Sequence, residues 1–522
     1  MSNDITQIVS FLSQPQLAVP EDLKRDLHKV VPSLLSPELN AKTRKILIKH
    51  LKAGRNTKDV YKAILIESML LYLEGKQMSS MNLKALLDSY APTLADGASV
   101  LATLNWWQFS QKEGTDKRLK QHLGRDTFVS VFNRTVDVVD AVYQQVCNGA
   151  PPKFRRTGNV IVLTRQMLMP PHAPSVRTLE FAKNLTENHG KNVMIVCSSE
   201  TTSEPTGPLV PQGIGQFAEQ FLNASTVNYE GVQLRFVMTG RGTFTEPAVR
   251  QTLKIMHDFD PEMILSIGAP NMLAEPFGDR AFCFFYMSGR GTAITRRQHF
   301  HTWDELTDEQ QGELEAEGTL HKHLFVSTPG YHQKIQYSKL TRAQFNVPDD
   351  AFLYAVIGLR LGQEVDKEFL TLLQRIADNS NAYFLFAGKF EGYEETMADW
   401  PGLADRCHFA GMQPDIMAVY ELCDAFINPD RAGGGSGAAQ ALQGHVPVLT
   451  RPIGDVGYMV KNAPTYESYE AMGDAAIAIA NDKALHQSFI ENAKKDGDRL
   501  SVRDEYLSRI MDEFEKFAEA NE

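Results

Sequence analysis

The chain has 522 residues, 43% of them apolar, and a formal net charge of −11. That length allows two to four domains with sizeable cores, while the acidic balance excludes a general nucleic-acid binder, which needs a basic surface. Five cysteines (Cys147, Cys197, Cys283, Cys407 and Cys423) stand without CxxC spacing, which excludes a disulfide framework or a zinc site of the usual pattern.

The opening MSNDITQIVSFLSQ lacks the basic-then-apolar layout of a signal peptide, and no window reaches the ~20 apolar residues of a membrane span. A soluble, cytoplasmic protein is expected. Residues 1–150 read as an all-helical domain. Val60, Ile64, Leu65, Met69 and Tyr72 recur at helical spacing, and glycine and proline fall between such segments. Lys42, Arg44, Lys45, Lys49, Lys52 and Arg55 occupy one helix and its exit. They form either a solvated face or a docking surface for an acidic partner or an anionic membrane. Trp106 and Trp107 read as core.

Composition changes at Pro151-Pro152, opening a second domain over 151–335. Asn159–Thr164 is a buried strand, followed by a loop, a helix from Leu179 to Asn188, and a strand Asn192–Cys197. Strand–helix–strand at this spacing implies a parallel sheet. Further strands are expected at Gln233–Met238, Met263–Ile267 and Phe282–Met287. The loop after the first strand holds Pro171, His172 and Ser175. His172 is a candidate general base, because imidazole titrates near neutral pH. Asp279 and Tyr286 are further candidates on this side. The run Ser288–Thr292 with Arg296 and Arg297 reads as a substrate contact or a mobile loop. His299, His301, His321 and His323 lack ligand spacing, so no metal is expected.

The third domain, 336–522, runs through strand Leu353–Ile357, helix Lys367–Asp378, strands Ala382–Ala387 and Cys407–Ala410, helix Ile416–Leu422 and strand Ala425–Asn428. A turn holding Asp430, Gly433, Gly434, Gly435, Ser436 and Gly437 follows, then a helix Ala438–Gln443 and a strand Val446–Leu449. A charged helical tail, 485–520, ends the chain. Glycines opening a helix leave backbone N–H groups unpaired at the positive end of its dipole, which suits a phosphate. Arg360, after Gly358, and Lys389 follow neighbouring strands and would place two cations on the same edge. Gly411 and Met412 are placed to meet a flat base. Two doubly wound, Rossmann-like domains in tandem put a ligand cleft between the carboxyl ends of their sheets.

The order GLRL, FAGK, HFAGMQPDIMAVYELCDAFINPD and GGGSGAAQALQGHVPVLT resembles the nucleotide-sugar half of a GT-B glycosyltransferase. The resemblance covers about 155–520 and is most specific over 353–450. The whole layout is similar to the cytoplasmic protein glycosyltransferases that modify bacterial high-molecular-weight adhesins. It implies transfer of a sugar from a nucleoside diphosphate sugar, a UDP-sugar by expectation, to a protein or glycan acceptor, with the helical domain 1–150 serving acceptor or partner recognition. Arg360 and Lys389 would neutralise the diphosphate without a metal or cofactor, and Ser436 and Gly437 would cap it. The retaining GT-B enzymes that resemble sucrose synthase carry a glutamate on each side of the glycine turn, where Arg431 and Ala439 stand here, so retention and inversion both stay open, with inversion preferred. Ribose recognition then falls to Gln440, Asp430 or Asp455. A non-catalytic scaffold and a sugar-nucleotide epimerase are the alternatives.

Overall fold

The computed structural model describes residues 3–36, 39–74, 77–110, 123–147, 153–169, 172–201, 206–210, 215–268, 271–327, 330–331, 336–501 and 504–522. Pro171 lies outside the described residues. Two compact units emerge. The first comprises Met1–Phe109, Asp116–Ser327 and Arg509–Glu522, and the second is built on Thr328–Ser508. The fold class is α/β, with helices first and two largely parallel sheets after them.

In the first unit, helices cover Asn3–Leu12, Glu21–Leu34, Ala41–Gly54, Val60–Glu74, Gln77–Ser89, Leu94–Ser110 and Arg125–Cys147. The helix Val60–Glu74 is apolar on nearly every side and buries Ile64, Leu65, Ile66, Met69 and Leu70, as a central helix must. Its one buried ammonium, Lys62, is satisfied by the carbonyls of Phe11, Gln14 and Leu17 at 2.8, 2.7 and 3.1 Å. Phe128, Val131, Phe132 and Val136 of Arg125–Cys147 share a core with Leu253, Met256, Met272 and Phe277 from beyond residue 150. The boundary at 150 marks a change in composition, and the apolar core runs across it.

The first sheet contains β1 (Asn159–Thr164), β2 (Asn192–Cys197), β3 (Thr226–Tyr229), β4 (Val232–Met238), β5 (Met263–Gly268), β6 (Phe282–Met287), β7 (His299–Thr302) and β8 (His323–Val326). Their order is β3-β4-β2-β1-β5-β6-β7-β8, parallel throughout except for the β3–β4 hairpin. That hairpin turns on Glu230 and Gly231, both at positive φ, as a two-residue turn requires. The helix after β1 spans Ala173–Glu187, starting six residues before the expected Leu179. Pro174 lies in its first turn, where a missing N–H costs nothing, so the proline opens the helix instead of prolonging the loop.

The second sheet contains β9 (Phe352–Gly358), β10 (Ala382–Gly388), β11 (Cys407–Gly411), β12 (Ala425–Ile427) and β13 (Val448–Leu449), in the all-parallel order β11-β10-β9-β12-β13. All five carboxyl ends therefore emerge along one edge. The tail forms two helices, Lys483–Leu500 and Asp504–Asn521. Most of the last one belongs to the first unit, not to the 336–522 domain expected for it. Phe514 and Phe517 pack their rings on Phe282 at 6.1 and 5.4 Å, and Glu515 pairs with Arg156 at 2.6 Å.

Candidate functional site

The glycine turn follows β12. Asn428 bonds the tip of β13 twice, its N–H to the Leu449 carbonyl at 3.0 Å and its amide to the Thr450 hydroxyl at 3.2 Å. Asp430 pairs with Arg451 at 2.5 Å, and its N–H donates to the Tyr469 hydroxyl at 2.9 Å. The helix begins at Gly435, three residues before the expected Ala438, so Ser436 and Gly437 lie inside its first turn. Packing explains the early start. A Cβ on Gly435 would come within 2.9 Å of Asp455 Cβ, and one on Gly454 within 2.2 Å of the Arg431 carbonyl. Gly434, the residue before the helix, is exposed with φ +96°, a conformation that glycine adopts without penalty. The first-turn N–H groups have no partner inside the helix and sit at its positive end, so an anion is favoured there.

A charged brace runs beneath this turn. Arg431 is buried, and its Nη1 donates to the Ile357 carbonyl at 2.8 Å and to Glu364 Oε2 at 3.1 Å. The other oxygen of Glu364 accepts from Arg360 Nη2 at 2.9 Å and Nε at 3.1 Å. One carboxylate thus couples the glycine turn after β12 to the arginine after β9. Burial lowers the pKa of Arg431 against the opposing pull of Glu364. The ion pair holds the guanidinium in place, and the brace of two arginines and one glutamate keeps a net positive charge.

On the neighbouring strand, Gly388 has φ +119°, and a Cβ there would lie 2.0 Å from the Gly358 carbonyl. The tips of β9 and β10 approach this closely only with glycine. Lys389 follows, mostly exposed and paired with Glu391 at 2.8 Å, a surface contact of small worth. At the tip of β11, Gly411 has φ +66° and Met412 is exposed, beside Phe409 stacked on Tyr393 at 5.1 Å. Gln440 is half-buried in the helix after the glycine turn. Strand order therefore places Gly358, Arg360, Lys389, Gly411, Met412, Asp430 and Gly433–Gly437 on a single edge of the second sheet.

The first-unit candidates divide. His172 precedes the helix Ala173–Glu187, and its Nδ1 lies 2.7 Å from the buried Ser175 hydroxyl, whose oxygen accepts from the Leu168 N–H at 2.9 Å. The Ser175 hydroxyl has a second acceptor site and a proton of its own, so it serves Nδ1 in either tautomer. Burial lowers the pKa of His172 to about 4. A neutral ring of so low a pKa is a weak acceptor of protons. Asp279 precedes β6 and so lies at the amino edge of the sheet, away from the strand ends where His172 sits. Tyr286 is buried in β6 against Phe181 at 5.1 Å and His301 at 5.3 Å, a core position. Arg296 pairs with Asp137 at 2.6 Å and Arg297 with Asp140 at 2.8 Å, so these cations bind the helix Arg125–Cys147. His299, His301 and His323 belong to β7 and β8, and His301 Nε2 accepts from the Met287 N–H at 3.0 Å. Among the described residues no group of three or more His, Cys, Asp or Glu side chains is placed to hold a metal ion.

Sequence reasoning missed Glu364, the bracing role of Arg431, and the Arg451–Tyr469 support of Asp430. The spacing of Arg360 and Glu364, four apart, was the available signal for the first.

Residues 339–496 match the family model of glycosyl transferases group 1. No curated protein matches the chain. Among solved structures, WaaG, a glycosyltransferase involved in lipopolysaccharide biosynthesis, is 13% identical with a TM-score of 0.46, covering 69% of this chain and 99% of its own. A mutant O-GlcNAc transferase of Thermobaculum terrenum is 10% identical with a TM-score of 0.44, covering 99% of this chain and 98% of its own. The galactosyltransferase WaaB, of the lipopolysaccharide outer core, is 10% identical with a TM-score of 0.43, covering 66% of this chain and 96% of its own. Likenesses at this level carry no argument about chemistry. The family match, over residues 339–496, takes in all five strands of the second sheet and the edge just described.

Proposed function

We propose that this protein transfers a sugar from a nucleoside diphosphate sugar to an acceptor. The supporting observation is the glycine turn at a helix start, exposed at Gly434, braced by Arg431 and Glu364 and flanked by Arg360, within the matched family segment. The departing diphosphate would be stabilised by first-turn N–H groups, Arg360 and Lys389, with no metal required. In this reading the donor is a UDP-sugar, the acceptor is a protein or glycan held by the first unit, and the reaction runs in the cytoplasm. Inversion is favoured, since Ala439 carries no carboxylate and Arg431 is a buried cation. The neutral His172 would donate to a sugar or phosphate oxygen.

A panel of nucleoside diphosphate sugars, tested by thermal shift, checks this reading. A saturating donor at a hundredfold its Kd adds about 2.7 kcal/mol of stability. Selective stabilisation by one donor, followed by release of its diphosphate with an acceptor, is the expected result. Absence of any saturable shift would establish a scaffold, and release of an altered sugar nucleotide would establish an epimerase.

A further inference from the structure

The helix Ala41–Gly54 stands outside the glycosyl-transfer reading, and its outer face has a chemistry of its own. Residues 41–55 hold six Lys and Arg and no Asp or Glu, in a chain of net charge −11. Burial divides the helix: Leu47 and Leu51 are covered, while Lys42, Lys45, Lys49 and Lys52 are exposed. Their steps of three, four and three residues align them on one face. Three of the six cations are engaged within the fold. Arg44 donates to the Leu73 carbonyl at 2.8 Å, Lys52 pairs with Glu74 at 2.9 Å, and Arg55 with Glu67 at 2.7 Å. Lys42, Lys45 and Lys49 have no ion-pair partner among the described residues.

Apolar side chains accompany this stripe. Ile46 is 41% exposed between Lys45 and Lys49. Tyr72, Met78 and Met81 are 47%, 60% and 51% exposed at the corner that Arg44, Lys52 and Arg55 tie to the basic helix through Leu73, Glu74 and Ser79. Unpaired lysines interleaved with exposed isoleucine, methionine and tyrosine form the composition that settles at a lipid headgroup boundary. An acidic protein partner would call for the lysines alone.

We propose that this face docks the protein on an anionic membrane surface, with Lys42, Lys45 and Lys49 against the headgroups and Ile46, Tyr72 and Met78 in the acyl boundary. Co-sedimentation of the full chain with phosphatidylcholine vesicles, with and without phosphatidylglycerol, tests it. The expected result is preferential partition onto the anionic vesicles at about 0.1 M salt. That preference should disappear near 1 M, where the screening length falls to about 3 Å. Joint substitution Lys42→Gln, Lys45→Gln and Lys49→Gln should weaken partition about fivefold per lysine, and Ile46→Ser with Met78→Ser should weaken it further. Thermal midpoint and donor binding should stay unchanged in both variants, which separates this proposal from the glycosyl-transfer reading. Equal partition onto neutral and anionic vesicles would overturn it. So would lysine-dependent binding to polyglutamate without vesicle binding, which would assign the face to an acidic protein.

Discussion

Two helix beginnings, each following a parallel strand, differ in the donors they present. After β12, the helix Gly435–Gln443 starts with Gly434 exposed and with glycine and serine in its first turn. After β1, the helix Ala173–Glu187 starts with Pro174, which has no N–H, and the Ser175 hydroxyl turns back to Leu168 and His172. Neither start has a side-chain cap, and the dipole is the same in kind at both. What differs is that Pro174 takes one N–H from the first turn after β1, while every residue of the first turn after β12 keeps its own.

The sharpest way to break this comparison is to remove the brace. Arg431→Met would take one of the two cations from the buried Glu364, leaving Arg360 as its partner. The stability lost, read by urea denaturation, should therefore stay below the figure for a wholly unpaired buried charge, about 3–5 kcal/mol. Pairing it with Glu364→Leu should restore part of that loss, because the half-paired carboxylate is gone. A loss equal to the single variant would mean that the ion pair does not carry the turn.

Arg360→Ala comes next. Donor binding measured by calorimetry should weaken by about 1.5–3 kcal/mol, the range for a hydrogen bond to a charged group, with little change in unfolding. Unchanged affinity would remove Arg360 from the site. Gly434→Ala should cost at least about 1–2 kcal/mol, the penalty for a left-handed L-residue, since its Cβ would also come within 2.7 Å of Arg431 Nε, and it should weaken donor binding as well. An affinity equal to wild type would show that the turn does not meet the donor.

The smallest effect concerns the other helix start. The ordinary imidazole pKa is near 6.5, and burial lowers that of His172 to about 4. Its ring should therefore be neutral above about pH 5 and contribute no acid limb to the rate profile between pH 5 and 8. An NMR titration of the ring with a midpoint near 6.5 would contradict its burial.

The sequence made the sheets legible because their central strands are apolar runs bounded by turn residues. β1, β2 and β6 match their expected spans, and the helix Ile416–Leu422 does too. The strands toward the two edges of the first sheet were not legible. β3, β7 and β8 are four residues each, too short for the alternation of Val227 and Tyr229 in β3 or the apolar Leu324, Phe325 and Val326 of β8 to stand out. Donor-side candidates were legible as strand-end residues. The Arg360–Glu364–Arg431 brace joins positions 67 residues apart, from Glu364 to Arg431, and no local pattern encodes such a meeting. Asp279 was misplaced because a residue before a parallel strand lies on the opposite edge from one after it.

The apolar side chains that Arg125–Cys147 shares with Leu253, Met256 and Phe277 have a practical meaning for anyone dissecting this chain. Cutting near residue 150 would not free a detachable accessory. It would strip one wall from the first sheet's interior and present greasy flanks to water, so the shortened remainder should precipitate. Swapping these helices for those of a relative would demand repainting both sides of that wall together.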